Sequence, residues 1–176
     1  MIHVENVSKT FVLHQQNGVR LPVLQNASLE VSNGECVVLH GHSGSGKSTL
    51  MRAMAGLGPS AGELSLDGEN LLALPFARRA EKVVYLPQTL PAGVHLRVLE
   101  SIIVAQRAAG GAHSPENQAQ VMSLLRQLGI EHLALSYLDR LSGGQKQLVG
   151  LAQSLIRQPA LLLLDEPLSN LDAKLR

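Results

Sequence analysis

The chain has 176 residues, 45% hydrophobic and 16% charged, with 16 Gly and 8 Pro; this is core-forming material, not a disordered tail, a collagen-like repeat or a coiled coil. Lys plus Arg number 15 against 14 Asp plus Glu, and only Phe11, Phe76, Tyr85 and Tyr137 are aromatic, so neither a global basic field nor a base-stacking surface is available for nucleic acid. One cysteine, Cys36, excludes an internal disulfide framework, and no apolar run reaches the ~18 residues that read as a membrane span. Met1 to Lys9 mix charge with apolar positions and lack a signal core, which predicts a soluble, cytoplasmic protein.

Taken in order, Ile2–Val7, Val23–Val31 and Cys36–His40 read as short strands, with an Asn33-Gly34 turn after the second. Gly46 to Leu57 reads as a helix opened by Lys47-Ser48-Thr49 and stopped by Gly56 and Gly58. Gly62–Asp67 and Val83–Leu86 are further strand runs, the second broken by Pro87. From Val98 to Leu135 the apolar period is helical, with Val121, Leu124, Leu125 and Leu128 on one face and Ser114-Pro115-Glu116 as a helix start. Gln145 to Gln158 repeats that period, Pro159 ends it, and Ala160–Leu164 is an all-apolar strand. Strands, a helical insert around 90–140 and a buried strand make one α/β domain over residues 1–176.

Gly41-His42-Ser43-Gly44-Ser45-Gly46-Lys47-Ser48 fits a phosphate-binding loop, placed between a strand run and a helix as that loop requires. Glycines let successive N–H groups turn toward one anion, and the helix N-terminus adds partial positive charge. Lys47 is expected to reach the β and γ phosphates and the Ser48 hydroxyl to ligate Mg²⁺, with Thr49 continuing the same helix terminus. Leu161 to Leu164 make a buried strand that delivers Asp165 to the metal and Glu166 to an attacking water. His40 and His42 read as loop residues, because zinc needs three or four ligands. Cys36 reads as a small core residue, and Arg78, Arg79 and Lys82 as a solvated basic face.

Leu141-Ser142-Gly143-Gly144-Gln145, 23 residues before Asp165 when counted from Ser142, resembles the signature of the ATP-binding-cassette (ABC) ATPases, and the resemblance covers nearly all of the chain. It implies a P-loop NTPase core sheet with an antiparallel β segment and a helical signature subdomain, using ATP and Mg²⁺. Gln88 resembles the Q-loop glutamine, a metal and water contact, and Ser169-Asn170-Leu171-Asp172 the D-loop. Phe11 fits the aromatic residue that stacks on adenine. The resemblance implies a head-to-tail dimer with a second ABC ATPase subunit, in which Ser142, Gly143, Gly144 and Gln145 meet the γ-phosphate bound by the other copy. It also implies an integral membrane permease as partner and a place on the inner face of the cell membrane.

Within the family the segments form a mosaic. Lys9 to Leu24 and Glu35–Leu50 resemble an ATPase component of the phosphonate carbon–phosphorus lyase system. Val83 to Leu164 resembles iron–siderophore importer ATPases, and Glu166 to Arg176 resembles sugar and polyamine importer ATPases. A transporter ATPase is therefore expected, with a soluble lyase-complex ATPase or a binding-only inactive fragment as alternatives. All seven histidines precede Asp165, so none can be the family's switch histidine, and a chain truncated after the D-loop is expected.

Overall fold

Apolar and β-branched residues of the first third pair along a hairpin far longer than the two short strands expected. In the computed structural model, which describes residues 1–13, 18–88, 95–108, 115–167 and 169, β1 (Ile2–Leu13) runs antiparallel to β2 (Val19–Val31). β1 pairs on its other edge with β3 (Ala61–Leu66), which pairs with β4 (Glu69–Asn70), giving the antiparallel order β2-β1-β3-β4. Asn6 takes φ 53° and donates its N–H to Ser28 Oγ at 2.9 Å. At this bulge the pairing of β1 slips by one residue against both neighbours, between Val4 and Val7 on one side and Glu5 and Ser8 on the other. β3 passes the bulge at Gly62, where a Cβ would lie 2.6 Å from Glu5 O and 2.7 Å from Asn6 O, so only glycine fits.

α1 (Lys47–Met54) packs on β1 and β2, and Met51, Ala53 and Met54 join Ile2, Val4, Val7 and Leu24 among the buried residues. Gly56 at φ 66° follows its C-terminus, as the two-glycine stop predicts. The chain divides into two compact units, 1–79 and 80–176, the division falling within α2 (Phe76–Lys82).

The second unit holds a parallel pair, β5 (Val83–Leu86) with β6 (Leu161–Leu164), and the helices α3 (Val98–Ala108), α4 (Pro115–Gln127) and α5 (Gly143–Leu155). Val98, Ile102, Val121, Leu125, Val149 and Ala152 form the centre of its core, each no more than 1% exposed. Val121 and Leu125 lie on the face that the 3.6-residue period marks in α4, whereas in α5 the period marks Ala152 but also Leu155, which is exposed, and passes over the buried Val149. Ser114, read as the cap of α4, lies outside the described residues.

Three expectations are corrected. Cys36–His40 is not a strand: among the described residues nothing pairs with it, and a strand without a ladder partner has no reason to hold its geometry. Val38 is 82% exposed there, and Cys36 is exposed instead of sitting in a core. Arg79 is not on a solvated face: it is half-buried and donates to Leu71 O and Gly56 O, each at 3.3 Å. Those carbonyls stand where the chain turns away from regular structure, and a guanidinium fork satisfies both at once.

Candidate nucleotide-binding site

The phosphate loop of the first unit is built on two left-handed glycines, Gly44 at φ 81° and Gly46 at φ 93°. Gly46 is buried, and a Cβ there would come within 3.2 Å of both Leu24 Cδ2 and Val23 O. It is also the N-cap of α1, so no side chain caps that terminus, and its first turn contains no acidic residue. The partial positive charge of the helix end is thus left for an anion. Lys47 curls over the loop, donating to Gly41 O at 2.7 Å and His42 O at 2.9 Å, with Ser45 Oγ at 3.5 Å. His42 turns its Nδ1 to Ser43 O at 2.9 Å. Ser43 is exposed within the loop, and Ser48 and Thr49 lie in the first turn of α1. On β1, Phe11 stands opposite Leu21 and is 43% exposed, with Lys9 Nζ 5.3 Å from the ring centroid. An aromatic face open to solvent on an antiparallel strand can receive a planar base.

In the second unit, the end of β6 carries the acidic pair. Asp165 is 5% exposed, its N–H donates to Leu86 O at 3.0 Å, and Tyr85 Oη donates to its Oδ2 at 2.9 Å. One carboxylate oxygen is therefore held by a hydroxyl, and the pair of oxygens is given one orientation. Glu166 turns out of the strand at φ 48° and is exposed. Gln88, just beyond β5, donates Nε2 to Glu166 Oε2 at 2.7 Å. The structure thus brings together Gln88, Asp165 and Glu166. Asp172, with Asn170 and Leu171 of the same expected loop, lies outside the described residues.

Ser142, Gly143, Gly144 and Gln145 open α5. Ser142 Oγ accepts from Gln145 N–H at 3.3 Å, while Gln145 Oε1 accepts from Ser142 N–H at 3.0 Å. This reciprocal capping box holds the turn that carries both glycines. The spacing Ser-x-x-Gln is the signal that could have announced Gln145 as a cap. Ser142→Ala is expected to lower the stability of the chain by about 1 kcal/mol, read as a shifted urea midpoint at unchanged slope.

A small cluster steadies the approach to this turn. His95 stacks on Tyr137 with centroids 4.3 Å apart, and its Nδ1 lies 3.0 Å from Asp139 Oδ2. The hydrogen bond from His95 holds the Asp139 carboxyl below its usual range. Arg97 and Arg140 flank the same ring at 5.6 and 5.8 Å. Sequence reasoning passed over this group, because its members are joined only by folding.

A family model described as ABC transporter matches residues 24–169. The spermidine/putrescine import ATP-binding protein PotA of Thermotoga maritima is 40% identical over 176 residues, which span 99% of this chain and 45% of the relative. PotA of Nitrosospira multiformis is 36% identical over 177 residues, spanning 100% and 46%. The chain thus spans about half the length of the curated relatives it matches. Among solved structures, the dimeric post-hydrolysis state of the ATP-binding cassette MJ0796 bound to ADP and Pi aligns at TM-score 0.84 and 28% identity, over 99% of this chain and 78% of that one. A structure described as the ATP binding subunit of an ABC transporter aligns at TM-score 0.83 and 28% identity, over 98% and 69%. A phosphate loop, an acidic strand end and a capped signature turn, within a family match that covers most of the sequence, place this chain in the ABC transporter family, as an ATP-binding domain.

Proposed function

We propose that this chain binds and hydrolyses ATP, closing head-to-tail on a second ABC ATPase subunit and so driving solute movement through a separate permease. The observation that carries the reading is the grouping of Gln88, Asp165 and Glu166 at one strand end, a metal-and-water site in chemical type. Phe11 stacks on adenine, while Gly41 to Ser48 and Thr49 surround the phosphates, with Lys47 leaving its carbonyl contacts for them. Ser48, Gln88 and Asp165 would hold Mg²⁺, and their oxygens are the hard donors this ion selects. When bound, Mg²⁺ supplies charge neutralisation at the β and γ phosphates. Glu166 accepts the proton of the attacking water, which Gln88 helps to orient. Ser142, Gly143, Gly144 and Gln145 present a helix N-terminus to the γ-phosphate held by the other copy.

No helix of the described residues is long and apolar enough to cross a membrane, and the passage is assigned to the permease, with this chain at its cytoplasmic face. Import is carried over from the relatives' names, which make a polyamine the first solute to try. Neither name points to phosphonate breakdown.

Calorimetric titration with ATP, with and without Mg²⁺, tests the reading. Mg²⁺ is expected to strengthen binding, Asp165→Asn to remove that increment, and Tyr85→Phe to weaken the metal-dependent part about tenfold while sparing metal-free ATP binding. A folded chain that takes up no ATP under either condition would overturn the proposal.

A further inference from the structure

We propose that Gln147 is a positioning residue for Glu166, tying the helix that begins at the signature turn to the backbone beneath the carboxylate. The inference rests on the reading of Glu166 as the base. Gln147 sits in α5 five residues after Ser142 and is 4% exposed. Its Nε2 donates to Glu166 O at 2.8 Å, with Ser169 Oγ at 3.4 Å. The same Glu166 carbonyl accepts the Ser169 N–H at 3.2 Å, so both of its acceptor positions are used.

What Gln147 reinforces is a strained turn that otherwise has one main-chain hydrogen bond, from the Ser169 N–H. Glu166 is a non-glycine residue at φ 48°, and Pro167 follows it, which ordinarily drives the preceding residue to an extended conformation. A left-handed residue in that position persists only where its surroundings dictate it. Three contacts do so: Gln88 on the side chain, and Gln147 and the Ser169 N–H on the main-chain carbonyl. An amide suits the second task. It is long enough to cross from the helix, donates without adding charge beside Asp165 and Glu166, and is compatible with burial once bonded. With the carbonyl released, the turn relaxes toward extended backbone and the carboxylate leaves the place from which it reaches a water. A displacement of about 1 Å there is enough to cost orders of magnitude in rate.

The test uses residue-resolved amide hydrogen exchange on this chain. Gln147→Met keeps the volume and removes the donor; Gln147→Glu keeps the shape and replaces the donor with an acceptor. Both are expected to speed exchange of the Ser169 amide on the order of tenfold, while Val149 and Ala152 in α5 stay within about threefold of the parent. ATP turnover should fall by at least about tenfold at unchanged KM for ATP. Unchanged Ser169 exchange in both variants, or an equal rise throughout α5, would overturn the proposal. Glu166→Gln separates it from the reading beneath it, because that change leaves the backbone carbonyl and its Gln147 bond in place. Ser169 exchange should then match the parent while turnover is lost. Turnover retained in Glu166→Gln would overturn the base assignment, and with it the catalytic part of the Gln147 role.

Discussion

Glu166→Gln is expected to lower ATP turnover by about 10²- to 10⁴-fold, the usual worth of a positioned general base, while leaving ATP affinity within about twofold of the parent. The substitution keeps the side chain's length and one acceptor oxygen, so the contact from Gln88 Nε2, 2.7 Å in the parent, can persist. What it removes is the capacity to accept a proton at neutral pH. Asp165, the neighbour proposed for the metal, keeps its Tyr85 partner at 2.9 Å, so Mg²⁺-dependent binding should survive. The pattern to look for is a binding isotherm like the parent's beside a phosphate-release rate near background. Parent-like phosphate release would remove Glu166 from the mechanism. Loss of both binding and turnover would mean that the change had disturbed the metal site itself.

Lys47→Ala should produce the complementary result. Its ammonium is the only side-chain cation of the phosphate loop, and a charge-assisted contact to phosphate is worth about 1.5–3 kcal/mol, a 10- to 150-fold loss of ATP affinity. In the ligand-free loop, Lys47 binds carbonyls at Gly41 and His42. The His42 end of that arrangement is exposed, so water replaces the lost donor there and the fold should melt near the parent temperature. Calorimetry with a thermal melt on the same sample separates the two readings. Equal affinity in a folded variant would take the lysine out of the phosphate site.

How much of this was written in local sequence follows from where each feature draws its energy. The phosphate loop, the acidic strand end and the signature turn were legible because each is a short run with residue types that one backbone geometry demands. Gly46 is such a case: φ 93° and the nearness of Leu24 leave room for no side chain. The core helices were legible because Val98, Ile102, Val121 and Leu125 repeat with the period of the face they bury. Cys36–His40 misled because apolar content announces a willingness to pair, whereas a strand also needs a partner, and that is a tertiary fact. Gln147 was passed over for a related reason. A glutamine five residues into a polar-looking helix start carries no mark that its amide turns inward to a carbonyl 19 residues ahead. Arg79 likewise reads as surface charge until the carbonyls of Gly56 and Leu71 are brought to it.

The bulge at Asn6 has a consequence for the aromatic ring placed five residues further on. Ile2 and Val4 are buried on one side of the sheet, and strict alternation would continue that side through even-numbered positions. The inserted residue reverses the count: Val7, 2% exposed, takes the inward place, and Lys9 and Phe11 follow it on the same side. The later slips in this hairpin fall on β2, where two additional residues are taken up, so the count along β1 is not reversed again. The side from which Phe11 offers its ring is therefore decided by one left-handed asparagine and by the glycine at 62 that makes room for it. Deleting Asn6 would remove the bulge and the extra residue together and leave Val7 and Phe11 on the side of Val4; straightening β1 with Asn6 retained would instead turn Val7 toward solvent and exchange the sides of Phe11 and Val12. In this hairpin a single backbone insertion, with no side-chain chemistry of its own, sets the side of the sheet on which the Phe11 ring stands.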